Sequence, residues 1–364
     1  MSVSHLAWAA ALVLFLAGAA GAQTTLNPDI SLIGNLQSLW NNNEADPQSK
    51  QLNLNLDEIE VAVSGYLNPY ARADVFISWH GEQTEVEEAY VTFTRGIPFG
   101  LTVKAGQYRL GFGHINPTHP HAYSFILQPL PNQEFFGDEG LRDVGIHASI
   151  ALPTGNVETS VSADLLKGDF LDFPAVVAIP VSAQTADATS RPNKRAFAAR
   201  WNSFFTLGEY TSLNLGATAV TGIPAEGERR WIGGADCKFH WRPNRYQSFN
   251  SVVEWTFNRQ LYPLPPDTRP GDDHPTRHGL FGYAEYQFRQ RFNFGGVGEW
   301  TQLPQYVTAK IWRLGEFVGF APVEETSLVR LLVDYQRDPA AGDGFWAATL
   351  QLIYSLGPHK PHSF

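Results

Sequence analysis

Three histidines crowd the segment His114-Ile115-Asn116-Pro117-Thr118-His119-Pro120-His121, and His147 follows. Imidazole nitrogens suit zinc, copper or nickel, so His114, His119 and His121 are candidate metal ligands. Their spacing matches no fixed metal motif, and two prolines stiffen the segment. A second polar group, Asp272, Asp273, His274 and His278, lies later in the chain. For both groups the competing reading is loop residues that order a turn. Hydrolytic chemistry is not indicated, because neither a G-x-S-x-G elbow nor an H-E-x-x-H helix occurs. An enzyme is therefore not expected, nor is a cofactor. Cys237 is the single cysteine, which excludes an intrachain disulfide and a cysteine-based zinc site.

Carboxylates are abundant, but they recur two residues apart. Acidic positions in one phase of such alternation are Glu58, Glu60, Asp74, Glu88, Asp143, Glu158, Asp164, Asp236, Glu254, Glu285, Glu299 and Asp334. Basic positions in that phase are Arg72, Lys104, Arg200, Lys238, Arg289, Arg313 and Arg330, with Arg109 at the edge of the histidine segment. Placed around a water-filled lumen, such groups set ion preference by Coulomb interaction. Twelve acids against seven bases predict a lumen that favours cations. Pairing along the wall, as between Glu60 and Arg72, is the alternative use of the same charges.

The elements that must position these groups are strands. In Ala71, Ala73, Val75, Ile77 and Trp79 the odd positions are apolar, with Arg72, Asp74 and Ser78 between them. The same alternation recurs around Val144–Leu152, Trp231–Trp241, Leu280–Phe288 and Trp346–Tyr354. Period-2 patterning of this kind reads as strand. About 16 such segments are expected, near 30–40, 54–67, 70–80, 86–95, 99–109, 142–152, 157–167, 195–206, 209–221, 230–242, 245–258, 277–290, 291–303, 309–321, 325–337 and 344–356. Most run for about 10 to 13 residues, close to the roughly 9–11 of a tilted membrane-spanning strand. Short turns alternate with longer connections, and the longest well-defined one is the third, 110–141. Lipid offers no hydrogen bonds, so a spanning sheet must close on itself. The expectation is an all-β, transmembrane antiparallel barrel with short periplasmic turns and a long third loop. Seven of the ten tryptophans support one topology: Trp40, Trp79, Trp255, Trp300, Trp231, Trp312 and Trp346 all fall near the outer ends of strands, as an interfacial girdle would. Glu316 fits badly, since it shares the lipid-facing phase with Trp312, Leu314, Val318 and Phe320. A bulge near Gly315 or an oligomer contact would account for it.

Leu6 to Ala19 is a nearly continuous apolar run, and Ala20-Gly21-Ala22 offers a cleavage site before Gln23. Residues 1–22 therefore read as a cleaved signal peptide, and 23–364 as the barrel. The 364 residues carry a net charge of −10, which argues against a nucleic-acid partner. No internal apolar run reaches the length of a membrane helix. A soluble secreted all-β protein is the remaining alternative.

The chain resembles 16-stranded bacterial outer-membrane porins over its mature length. Locally, Leu101-Thr102-Val103-Lys104-Ala105-Gly106-Gln107-Tyr108 followed by Gly111-Phe112-Gly113 resembles a segment of proteins grouped with the phosphate-selective porin O and P family, and Phe135-Phe136-Gly137-Asp138-Glu139-Gly140-Leu141 with Gly145 resembles uncharacterised porin-like relatives of that group. Phosphate-selective members carry ladders of Lys and Arg, and this chain has few lysines. The resemblance implies an outer-membrane channel for passive diffusion of small hydrophilic solutes, narrowed by the 110–141 loop. Its candidate lining is Glu58, Glu60, Arg72, Asp74, Glu88, Lys104, Arg109, Asp236, Lys238, Glu254, Glu285, Glu299, Arg313, Arg330 and Asp334. Expected partners are outer-membrane lipid, the assembly machinery, small hydrophilic solutes and further copies of the chain in a homotrimer. The alternative function is a barrel that binds or takes up a metal ion or small ligand through the loop histidines.

Overall fold

A computed structural model describes residues 28–155, 157–173, 194–224, 229–259, 276–304, 309–323, 326–338, 342 and 344–357. The expected signal peptide lies outside the described residues. Sixteen strands follow one another: β1 (Asp29–Asn41), β2 (Asn53–Asn68), β3 (Ala71–His80), β4 (Gln83–Phe93), β5 (Thr102–Arg109), β6 (Arg142–Thr154), β7 (Val157–Leu166), β8 (Ala196–Gly208), β9 (Thr211–Gly222), β10 (Arg230–Asn244), β11 (Gln247–Arg259), β12 (Thr276–Phe288), β13 (Phe292–Gln302), β14 (Lys310–Val323), β15 (Ser327–Arg337) and β16 (Phe345–Leu356). Each pairs antiparallel with its sequence neighbours, and β1 pairs with β16, so the sheet is a closed barrel. Closure removes the edge strands of an open sheet; beyond Ala89↔Gln107 the outer end of β4 has no β5 partner, and the Gln107 side-chain amide donates to the Val86 and Glu87 carbonyls. No helix of the described residues is long and apolar enough to cross a membrane, which says nothing against strands doing so.

Every expected strand is present to within a few residues. β5 begins later than the alternation suggested, because Pro98–Gly100 forms a tight turn in which Phe99 adopts φ 64°. The tryptophans cluster as expected: Trp300 pairs with Trp312, Trp40 with Ala348 and Trp255 with Leu280, all toward the long-loop ends of their strands.

The outer face is apolar and exposed, as at Leu314, Val318, Leu350 and Trp346. The inner face departs from the expected polar lining. Val220, Ile232, Val252, Phe281, Val297, Phe317 and Leu332 all point inward and are buried against residues of the 110–141 loop. Covered by protein rather than water, these positions have no need to be polar.

Two bulges change which side chains enter the interior. Asn35 pairs with Glu58 and Leu36 with Leu56, so Asp57 is an extra residue in β2. Phe76 pairs with Glu88 and Ile77 with Val86, so Glu87 is an extra residue in β4. A bulge interrupts the alternation and re-aims side chains. No bulge occurs at Gly315: pairing is continuous from Phe292↔Phe320 to Gln302↔Lys310 on one side and from Trp312↔Arg337 to Phe320↔Val329 on the other. Glu316 therefore does stand exposed on the outer face.

Candidate functional site

The segment 110–141 is pinched at its base. Leu110 N–H donates to the Leu141 carbonyl, and the Asn116 amide donates to the carbonyls of both Leu110 and Leu141 while accepting from Leu141 N–H at 2.7 Å. From this neck the loop touches strands on opposite sides of the barrel, which it can do only from inside. It contains a two-turn helix, α1 (Leu130–Phe136). Its aromatic residues pack on the apolar inner wall, with Phe125 against Phe281 and Tyr283, and Phe112 and Phe136 within a second cluster.

Wall charges hold the loop backbone. Glu254 of β11 accepts the N–H groups of His114 and Ile115. This requires close approach at Gly113, whose φ is +65° and where a Cβ would sit 2.5 Å from a Glu254 carboxylate oxygen. Glu299 of β13 accepts from Leu130 N–H at 2.6 Å and is itself paired with Arg313 of β14 at 2.8 Å. Arg313 also donates to the Gln128 carbonyl, and Arg330 of β15 to the His121 carbonyl. Ser124 donates to Glu285 of β12. Buried charges that satisfy several partners in this way fix one arrangement of a polar network.

Two polar clusters flank this frame. In one, His114 Nε2 lies 3.1 Å from Asp236, which takes a bidentate pair from Arg200 at 2.7 and 2.8 Å. In the other, His119 meets Glu88 through Nε2 at 2.8 Å and faces Glu60 and Glu87 with Nδ1, while His121 Nδ1 lies 3.2 Å from Glu58. Arg109 pairs with Glu87 and donates to the Glu139 carbonyl. Burial opposes charge on His119, but the surrounding Glu60, Glu87 and Glu88 carboxylates outweigh it and hold the imidazole well above its ordinary pKa.

All fifteen candidate lining residues point to the interior, but most do not meet water. Glu58, Glu60, Asp74, Glu88, Arg109, Asp236, Glu254, Glu299, Arg313, Arg330 and Asp334 are buried. Arg72, Lys104, Lys238 and Glu285 are partly exposed, on the short-turn side of the loop. Arg72 pairs with Asp74, and Lys104 lies over the rings of Tyr90 and Tyr108. Of the three loop histidines, His119 and His121 share a cluster, with ring centroids 5.6 Å apart, whereas His114 belongs to Asp236. Asp272, Asp273 and His274 lie outside the described residues.

Alternation alone misses Asp57 and Glu87. The signal that could have found them is the adjacent acidic pairs Asp57-Glu58 and Glu87-Glu88, which cannot both enter one side of a strand without a bulge. The inward basic positions named from the sequence also omit Arg230, which donates to the Phe135 carbonyl at 2.7 Å and to Asn258 at 2.9 Å. Arg230 is in phase with Asp236 and opens the strand expected over 230–242, so the alternation itself is the signal that could have found it.

No family model matches the chain. It is 30% identical, over an alignment of 396 positions, to an uncharacterised protein of Aquifex aeolicus (strain VF5), covering 94% of this chain and 81% of the relative. Among solved structures it is similar to Pseudomonas putida OprB (TM-score 0.59, 9% identity, 91% of this chain and 94% of that one). It is also similar to the outer-membrane channel DcaP of Acinetobacter baumannii (0.58, 10%, 91% and 97%) and to an anion-selective porin from Comamonas acidovorans (0.58, 8%, 91% and 100%). The chain belongs to the family of the Aquifex aeolicus protein, and that family is built on the closed 16-stranded barrel shared by solved porins and outer-membrane channels.

Proposed function

We propose that the chain is a porin-type channel of a Gram-negative outer membrane, through which small hydrophilic solutes or ions diffuse passively. The observation that carries this reading is the 110–141 loop, folded into a closed barrel and fixed to its walls by Glu254, Glu299, Arg313 and Arg330. An exposed apolar outer face suits lipid. Partly exposed Arg72, Lys104, Lys238 and Glu285 suit an aqueous vestibule on the short-turn side, which is the periplasmic side in this reading. The loop is the constriction above that vestibule. Likeness to an outer-membrane channel and a porin supports the same reading. It includes export after removal of residues 1–22, insertion by the outer-membrane assembly machinery, and association as a homotrimer. No catalytic step is assigned.

Reconstitution into planar bilayers tests it. Wild-type protein should insert and give stepwise conductance, and its folded form should migrate differently on gels before and after boiling. Deleting residues 114–133 should leave that heat-dependent shift and raise the single-channel conductance several-fold. A deletion that inserts normally and conducts like wild type would place the constriction elsewhere.

A further inference from the structure

The cluster between β2, β4 and the loop has the chemistry of a metal site. Ligand atoms of Glu60, His119 and His121 all lie within 4.8 Å of one another, and all three residues are buried. His119 Nε2 meets Glu88 Oε1 at 2.8 Å, so in the neutral ring Glu88 would keep the proton on Nε2 and the lone pair on Nδ1. That is how a ligating imidazole is usually oriented, by a carboxylate on its other nitrogen. Nδ1 then faces Glu60 Oε2 at 2.8 Å and Glu87 Oε2 at 3.3 Å. His119 Nδ1 and Glu60 Oε2 are both buried 2.8 Å apart, without a well-directed hydrogen bond between them. A proton on Nδ1 or a metal ion can occupy that gap, and the titration below separates the two. Metal–ligand bonds of about 2.0–2.2 Å put neighbouring ligands roughly 2.8–3.1 Å apart at right angles and roughly 3.3–3.6 Å apart at tetrahedral angles, so the Glu60 spacing fits the former.

The charge balance points the same way. Glu58, Glu60, Glu87 and Glu88 are buried together, and Arg109 is the guanidinium that pairs within the cluster. A neighbouring triad, Glu58, His80 and Glu87, also has its ligand atoms within 4.8 Å, and its His80 is exposed. His114 is excluded by its place beside Asp236.

We propose that Glu60, His119 and His121 bind one divalent first-row transition ion, which fastens the loop to β2. Mixed imidazole and carboxylate donors favour such ions over magnesium or calcium. The triad joins two loop histidines to a strand carboxylate, so the ion would act as a cross-link within one chain.

The test uses the untagged full chain, extracted in detergent, stripped with chelator and checked for its heat-dependent gel shift. Titration with Co²⁺ should give visible d–d absorption saturating at one equivalent, and Zn²⁺ should bleach it. Glu60→Gln and His121→Gln should each weaken Co²⁺ binding at least about tenfold, whereas His114→Ala should bind like wild type. Folded wild-type barrel that takes up no Co²⁺, or variants at Glu60 and His121 that bind as wild type does, would overturn the proposal. Binding is read without a bilayer, so this result is separate from the conductance experiment.

Discussion

The arginine of the Glu299–Arg313 pair holds two things at once, a carboxylate and the carbonyl of Gln128. Removing one member of a buried pair leaves the other charge uncompensated, at a cost of about 3–5 kcal/mol. Arg313→Leu should therefore lower the unfolding free energy of refolded barrel, measured by urea titration, by that order. Arg313→Leu combined with Glu299→Leu should recover much of the loss, because Glu299 is no longer left without its cation; equal losses in both variants would mean that the pair is not what stabilises this corner. Residues of this kind were legible as inward-facing, since Glu254, Glu299, Arg313 and Arg330 keep strict alternation with apolar neighbours. Their partners were not. A carboxylate that ends up capping loop N–H groups has the same sequence pattern as one that lines water, because alternation reports the side of the strand and not what lies against it.

At the level of elements, nearly all the strands could be read from the sequence, because one face of each meets an apolar surround and the period is regular. What escaped was the interruption of that period at Asp57 and Glu87, where adjacent acids and not a turn residue mark the irregularity. Strand β14 poses the opposite case, an unbroken period that delivers Glu316 to the outer face between Leu314 and Val318. A carboxylate on a lipid-facing surface is destabilising, less so than an arginine or lysine. Glu316→Leu is expected to stabilise the isolated barrel against urea by about 1–2 kcal/mol. A drop in stability that depends on protein concentration would instead show that another chain covers this position.

For the whole molecule, the sequence count of twelve inward acids against seven bases predicts cation preference, and the structure changes the balance. Glu58, Glu60, Asp74, Glu88, Asp236, Glu254 and Glu299 are buried and face partners on the loop or the wall, and Asp334 is buried. Of the nineteen inward charges counted from the sequence, those open to water are Arg72, Lys104, Arg200, Lys238 and Arg289 against Glu158 and Glu285. Exposed charges act over about 10 Å at 0.1 M salt, so these groups govern permeating ions more than the buried set does. Reversal potentials in a KCl gradient should lie near zero or lean toward chloride, and Lys238→Glu should move them toward potassium. Marked cation selectivity in the wild type would mean that the buried acids open to the lumen in the working channel.

The loop's anchors are far apart in chain order. Leu130 N–H reaches Glu299, 169 residues later; the Gln128 carbonyl reaches Arg313, 185 later; and the His121 carbonyl reaches Arg330, 209 later. Contacts of such separation form slowly, because the intervening chain must first be ordered. The loop emerges with β5 and β6, but the far part of its docking surface does not exist until β13, β14 and β15 have joined the sheet. Full seating of the loop is thus a late folding event that reads out completion of the far wall, and a barrel stalled before those strands would leave Leu130 and its neighbours without cover, open to proteolysis and aggregation.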